Sequence, residues 1–169
     1  MDAVELRAMQ APYKERYKTD PAAAVITLKA KGSIDNDNIA CKVETGRALA
    51  VAGLHPATGG SGMELCSGDM LLEALVACAG VTLKSVATAI EVPLASGHVI
   101  AEGDLDFRGT LGVDKEAPVG FAEIRLRFEV ETAAPQDKLD LLLKLTERYC
   151  VVYQTIKAGP PVDVKMAKV

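Results

Sequence analysis

The chain has 169 residues, of which 49% are hydrophobic and 25% are charged, the balance of a single globular domain with a substantial core. The formal net charge is -4, aromatic residues make up 4%, and there is no Trp. These values argue against nucleic-acid binding, because such a surface needs a basic stripe or rings on which bases can stack.

The first segment, residues 1–18, is charged and lacks the apolar stretch of a secretory signal. Asp2 and Glu5 have the spacing of a capping box, which predicts a short helix over residues 3–10 ahead of Pro12. We expect residues 1–20 to be a helical extension of a single domain covering residues 1–169. We also expect a cytoplasmic protein with reduced thiols.

Alternating apolar and polar side chains predict strands in the next part of the chain. The first strand is expected over residues 25–31, with Gly32 and the polar run 35–38 as the turn after it. A second strand over residues 39–43 would complete a hairpin. A third strand is expected over residues 48–52.

A glycine-rich loop over residues 53–68 leads into the most apolar segment of the sequence. Ser67 can cap the helix that follows, which is predicted over residues 69–90. This helix is apolar nearly all round as far as Val81, so most of its sides should be buried. Its longest apolar stretch is interrupted by Glu73 and is too short to span a bilayer.

The second half of the sequence predicts two antiparallel strands, over residues 99–108 and 122–130, because apolar and charged residues alternate in both. Pro135 suits the first turn of a helix that ends near Tyr149. Residues 151–157 predict a further helix, and 162–166 a closing strand. The order of elements predicts an α+β fold in which helices cover one face of a sheet.

The candidate chemistry lies in four cysteines, none in a C-x-x-C pair: Cys41, Cys66, Cys78 and Cys150. His55 and His98 have no zinc spacing, and we expect no metal. Cys78 in an apolar helix is a core residue or a reactive thiol. Cys150 precedes a helix, whose N-terminal dipole would lower its pKa, unless it is a buried capping residue.

Two segments resemble the OsmC/Ohr family. The run GDMLLEALVACAGVTL, residues 68–83, resembles the family's central helix with its first redox cysteine, and TERYCVVYQTI, residues 146–156, resembles the second cysteine segment. The order of elements matches from about residue 25 onward. The resemblance implies an OsmC-like fold, with an antiparallel sheet packed on a central buried cysteine-bearing helix in an intertwined homodimer.

The resemblance also implies a reaction. Cys78 would attack an organic hydroperoxide as a thiolate and become a sulfenic acid, and Cys150 would condense with it to form a disulfide. An external dithiol of the dihydrolipoyl type would restore both thiols. No bound cofactor is implied, whether metal, flavin or haem.

The sequence departs from the family pattern around these cysteines. A thiolate in the middle of a helix gains nothing from that helix's terminus, so it needs a cation nearby. The family uses an arginine on an early strand, held by a glutamate. Here Asp69 takes the glutamate position, ahead of Glu73 and Glu64, and Val151 replaces a proline. The candidate cations are Lys31, Arg47, Lys84 and Arg148.

Other interpretations stay open. Cys66 could be an alternative partner for Cys78, Cys41 is expected in the core, and His55 is an acid–base group or a structural residue. The alternative function is a non-catalytic OsmC-like protein that binds a small apolar ligand or senses oxidants at the dimer interface. The third alternative is a structural dimer with inert thiols.

Overall fold

The structure is a computed structural model that describes residues 2–20, 31–34, 40–44, 49–112 and 114–168. It is an α+β protein, as predicted, and its elements begin with helix α1, Ala3–Thr19. The capping box is confirmed, since the Asp2 N–H donates to Glu5 Oε2 at 2.9 Å and the Glu5 N–H to Asp2 Oδ1 at 2.8 Å. The helix continues through Pro12, further than predicted. The lysines, glutamate and arginine after Pro12 favour helix strongly enough to outweigh one lost hydrogen bond.

Four strands form the first sheet in the order of the chain, and the predicted second and third strands are confirmed. Neighbouring strands are antiparallel, except for the last pair, which is parallel. The strands are β1 (Lys31–Ile34), β2 (Ala40–Glu44), β3 (Leu49–Gly53) and β4 (Leu65–Cys66).

The first turn was placed too early by the sequence pattern. Gly32 lies inside β1 and pairs with Val43, because a strand tolerates glycine where its backbone still finds a partner. Of the strand predicted over residues 25–31, all but Lys31 lies outside the described residues, as does the predicted turn 35–38.

A second sheet contains β5 (Ser96–Leu105) and β6 (Phe121–Glu131), which are antiparallel as predicted. Among the residues that the structure describes, these two strands do not pair with the first four. The first of the two begins and ends three residues earlier than predicted, at Ser96 and Leu105. Asp106 Oδ1 accepts the Arg108 N–H at 3.0 Å and starts the short helix α3 (Phe107–Thr110).

The cysteine-bearing helix α2, Ser67–Ala89, has one buried stripe that packs against β5 and the two helices near the C-terminus. Its N-cap residue is Cys66, not Ser67 as predicted, and no side chain caps it. Val81 is 72% exposed, so one chain alone does not bury the helix on most sides. The stripe comprises Leu75, Ala79, Leu83, Val86 and Ala87.

By length and composition α2 could cross a membrane, with a mean hydropathy of 1.7 over its most apolar window. A core helix satisfies the same criteria. The C-terminal part of this stripe, from Leu83 onward, belongs to a core that also includes Val92 and Leu142, with Phe128 and Leu139 packed around it. We therefore interpret α2 as the core helix of a soluble domain.

The C-terminal part contains α4 (Gln136–Tyr149) and α5 (Val151–Ala158). Pro135 is the N-cap residue of α4 and not part of its first turn. The strand predicted over residues 162–166 is wrong. A strand needs a neighbour for its backbone groups, and among the described strands none pairs with this segment, whose Val164 is 83% exposed.

Candidate functional site

Cys78 and Cys150 come together where α2 packs against the junction of α4 and α5. Cys78 is half-buried on α2, while Cys150 is 1% exposed and separates the two C-terminal helices. The thiol of Cys150 donates a hydrogen bond to the sulfur of Cys78. The sequence therefore predicted a pair of thiols that are in direct contact.

The backbone around Cys150 fixes this geometry. Cys150 is extended, with φ -73° and ψ 107°, which ends α4 and starts α5 in a new direction. Its N–H still donates to the carbonyl of Thr146 at 2.9 Å, and its own carbonyl accepts the Gln154 N–H at 3.0 Å. Gln154 Nε2 donates to the Glu147 carbonyl at 2.7 Å. These bonds tie the two helices together and direct the first amides of α5 toward α2.

Those amides stabilise the thiolate of Cys78. Burial raises the pKa of Cys78, but the N–H of Val152, the thiol of Cys150, the N–H of Val151 and the hydroxyl of Thr82 all donate hydrogen bonds to its sulfur. The net result is a pKa below the ordinary value of a cysteine. Hydrogen bonds to the charged form are the cause.

Cys150 is shifted in the opposite direction. Burial raises its pKa, and its hydrogen bond to Cys78 and the negative charge there raise it further. The N–H groups of Tyr153 and Val152 act against this increase without cancelling it. The α5 N-terminus therefore lowers the pKa of Cys150 as expected, but burial and the neighbouring Cys78 outweigh this contribution and the net shift is upward.

One feature of the sequence could have predicted that amides of α5 bond the Cys78 sulfur. The residue after Cys150 is Val151, where a proline is common in the family, and only a residue other than proline has an N–H to donate. A thiolate in the middle of a helix gains nothing from the terminus of its own helix. The N-terminal amides of another helix that packs against it can still stabilise it.

Of the predicted cations, none contributes to the pKa of Cys78 within the described part of the chain. Lys84 is exposed to solvent, and the Arg148 guanidinium lies over the Tyr149 ring, 5.6 Å from its centroid. The side chain of Lys31 and all of Arg47 lie outside the described residues. The approach of a basic side chain to Cys78 stays a prediction.

The acidic candidates also lie away from Cys78. Asp69 is exposed in the first turn of α2, nine residues before Cys78, which is about 13 Å along the axis and half a turn around it. Glu73 is exposed, and Glu64 accepts the Ser61 hydroxyl at 2.6 Å. The catalytic role of Asp69 stays a prediction, and one chain alone does not bring it to the thiols.

The remaining candidates are not part of this site. Cys66 lies at the start of α2, about 18 Å along the axis from Cys78, in a separate cleft with His55. The two cysteines are not brought together. Cys41 lies on β2, but its side chain is outside the described set. No group of three potential metal-binding side chains is found in the described ranges.

The fold and the site define a class of protein: a soluble α+β domain with a two-cysteine centre between its core helix and a C-terminal helix junction. A sequence model of the OsmC-like protein family matches residues 59–165, and the chain belongs to this family. The resemblance drawn from residues 68–83 and 146–156 is thereby confirmed. Helix α1 and strands β1 to β3 lie outside the matched range. Among curated proteins there is no match.

Solved structures of similar fold are numerous but distant in sequence. An OsmC-like protein from Mycoplasma pneumoniae has a TM-score of 0.64 at 15% identity, covering 78% of this chain and 88% of its own. An organic hydroperoxide resistance protein OsmC from Legionella pneumophila has a TM-score of 0.61 at 17% identity, covering 79% of this chain and 90% of its own. An organic hydroperoxide resistance protein from Elizabethkingia anophelis has a TM-score of 0.62 at 14% identity, covering 80% of this chain and 91% of its own. At these identities the likeness establishes the fold.

Proposed function

We propose that this protein is a thiol-dependent peroxidase that reduces organic hydroperoxides, in a stress or detoxification role, through Cys78 and Cys150. The observation that carries the proposal is the asymmetry of the pair. The pKa of Cys78 is lowered and that of Cys150 is raised, and the thiol of Cys150 donates to the sulfur of Cys78. One thiol is therefore prepared to attack and the other to hold a proton.

In the first step the Cys78 thiolate attacks one oxygen of the peroxide, and the O–O bond breaks. The sulfur gains that oxygen and becomes a sulfenic acid, while the other oxygen leaves as an alcohol after it takes a proton. The thiol of Cys150 already donates its proton to the reacting sulfur in a hydrogen bond, so it can supply this proton. A donor with a raised pKa holds its proton until the alkoxide forms.

In the second step the sulfur of Cys150 attacks the sulfenic sulfur. An S–S bond forms, the S–O bond breaks, and the oxygen leaves as hydroxide, which takes a proton from solvent to become water. The pair has then given two electrons to the peroxide. An external dithiol of the dihydrolipoyl type regenerates both thiols by exchange through a mixed disulfide. No bound cofactor takes part in these steps.

The proposal includes a homodimer in the cytoplasm. Support for the dimer comes from α2, whose Ala74, Ala77 and Val81 are exposed in one chain although the helix is apolar. Burying such a stripe against a second copy would remove it from water. Support for the cytoplasm comes from the chemistry, since the cycle starts from reduced thiols.

The test is turnover of an organic hydroperoxide with a dithiol reductant. Cys78→Ser should lower the rate by roughly 1,000-fold or more, because the nucleophile is gone. Thr88→Val, also on α2, changes a hydroxyl that bonds only the Lys84 carbonyl and should leave the rate unchanged. Full turnover by Cys78→Ser would show that this mechanism is wrong.

A second candidate function is oxidant sensing without efficient turnover. It is favoured by one observation, namely that within the described residues no basic side chain supports the Cys78 thiolate. Such a protein would form the Cys78–Cys150 disulfide with one equivalent of peroxide and would be reduced slowly. Single-turnover and steady-state rates measured on the same sample distinguish the two functions.

A further inference from the structure

A second thiol lies in a cleft that the proposed reaction does not use. Two adjoining cavities of about 340 and 370 Å³ meet between the start of α2, the end of β5 and the loop after β3. The wall that they share is largely apolar, with one thiol and one imidazole. It consists of His55, Cys66, Gly68, Leu105, Phe107 and Phe121.

Glycines allow this cleft to form. A Cβ added to Gly103 would lie 2.5 Å from Cε1 of Phe121, so the ring can lie against the strand only because the side chain is missing. A Cβ built on Gly68 would lie 3.5 Å from Cζ of Phe121 and 3.6 Å from Sγ of Cys66. The aromatic ring and the sulfur therefore border the same point of the cleft.

The backbone also fixes the position of Cys66. Strand β4 pairs in parallel with β3, with Cys66 opposite Gly53, and α2 starts at the next residue. The Cys66 side chain caps no amide, so its sulfur is free to face a ligand. It is partly exposed.

The imidazole of His55 has one nitrogen available. Its Nδ1 accepts the Ala57 N–H at 3.0 Å, which leaves the proton of the neutral ring on Nε2. The ring stacks on Phe107 with centroids 4.8 Å apart and an angle of 18° between planes. His55 therefore offers this cleft a flat face and an N–H donor rather than a base.

We propose that the Cys66 cleft is a second site, independent of the peroxidase reaction, which binds planar aromatic carbonyl electrophiles such as quinones and forms a thioether with them. Flat rings fit the aromatic wall, since contact with Phe121 and with the stacked pair of Phe107 and His55 favours them over bent aliphatic molecules. The Nε2–H of His55 donates to the carbonyl oxygen. The sulfur of Cys66 lies beside the ring.

The reaction is an addition in which no atom is lost. The sulfur of Cys66 forms a bond to a ring carbon next to a carbonyl, and the electrons of the C=C bond move to the oxygen. One oxygen takes the thiol proton and the other takes the proton of the attacked carbon. The product is a hydroquinone thioether, so the quinone is reduced by two electrons without any further reductant.

The experiment treats the full chain with a substoichiometric amount of 1,4-naphthoquinone and maps the adduct by peptide mass spectrometry. Iodoacetamide, which is small and not aromatic, measures the intrinsic reactivity of each thiol. At Cys66 the quinone rate, divided by the iodoacetamide rate, should exceed the same ratio at Cys78. Equal ratios at the two cysteines, or an adduct absent from Cys66, would overturn the proposal.

Two further measurements test the aromatic wall. Phe107→Leu should lower the quinone rate at Cys66 roughly fivefold and leave the iodoacetamide rate unchanged, while Tyr149→Leu, an exposed aromatic elsewhere, should change neither. If the first variant does not fold, excess 2-naphthol should protect Cys66 in the unaltered protein and leave Cys78 unprotected. Failure of 2-naphthol to protect Cys66 would also overturn the proposal.

Discussion

Cys66 and Cys78 stand at two places on α2, and their surroundings differ in an instructive way. Cys66 is at the start of the helix, where a dipole would be expected to activate a thiol, yet its neighbours are aromatic rings and an imidazole. Cys78 is in the middle of the helix, yet its sulfur accepts the first amides of α5. The thiolate of Cys78 is therefore stabilised by the element that packs against α2 and not by the terminus of its own helix.

Among the variants that test the surroundings of Cys78, Cys150→Ala should have the largest effect on turnover. The variant removes both the proton donor beside Cys78 and the resolving sulfur, so turnover should fall by roughly 100-fold, the scale of losing a positioned proton donor. The sulfenic acid on Cys78 should then persist and be trapped by dimedone. If turnover is retained and no sulfenic acid accumulates, Cys150 has no part in the reaction.

The pH dependence of alkylation separates the two thiols of the pair. Because the pKa of Cys78 is lowered, its thiolate persists and its alkylation stays fast as the pH falls to below the ordinary cysteine value. Because the pKa of Cys150 is raised, its alkylation should be lost first on the same descent. Iodoacetamide rates at each cysteine, measured in the reduced protein, test the order. The reverse order would contradict the assignment of the two roles.

A smaller effect is expected from Val151→Pro, which removes one of the two amide donors to Cys78. Val151 is the first residue of α5 and is exposed, and Cys150 before it is extended, so the helix should accept proline there. Losing a hydrogen bond to a charged group should slow alkylation of Cys78 at neutral pH about tenfold. Val151→Ala keeps the N–H and is the control. Equal rates for the two variants would show that this amide is unimportant.

The smallest effect is expected from Thr82→Val, which removes only the hydroxyl that donates to Cys78. Alkylation of Cys78 should slow about threefold at neutral pH, the scale of one ordinary hydrogen bond. Thr88→Val is the matched control, because its hydroxyl bonds the Lys84 carbonyl and does not reach the thiols. Identical rates in both variants would limit the activation of Cys78 to α5 and Cys150.

Local patterns in the sequence predicted most of the elements. Alternation predicted β5 and β6, and the apolar run predicted α2 and placed Cys78 on it. One helix was predicted to end near Tyr149 and another to begin at Val151, which placed Cys150 between two helices. These features could be predicted because each depends on residues that are close together in the chain.

The predictions that were wrong depend on contacts between residues far apart in the chain. The strand expected over 162–166 has the right alternation, but pairing needs a neighbouring strand that no local pattern specifies. The net direction of the pKa shift at Cys150 was missed, because burial between packed helices and contact with a thiol 72 positions earlier in the chain outweigh the amides of α5.

The hydrogen bonds from Val151 and Val152 to Cys78 have a consequence for the oxidised protein. These amides bind an anion while the pair is reduced, and a disulfide carries no charge for them to hold. The start of α5 is then joined to α2 by the S–S bond at its N-cap residue Cys150, while the bond from Gln154 to the Glu147 carbonyl still ties it to α4. Oxidation of the pair therefore exchanges a set of hydrogen bonds between α5 and α2 for one covalent bond.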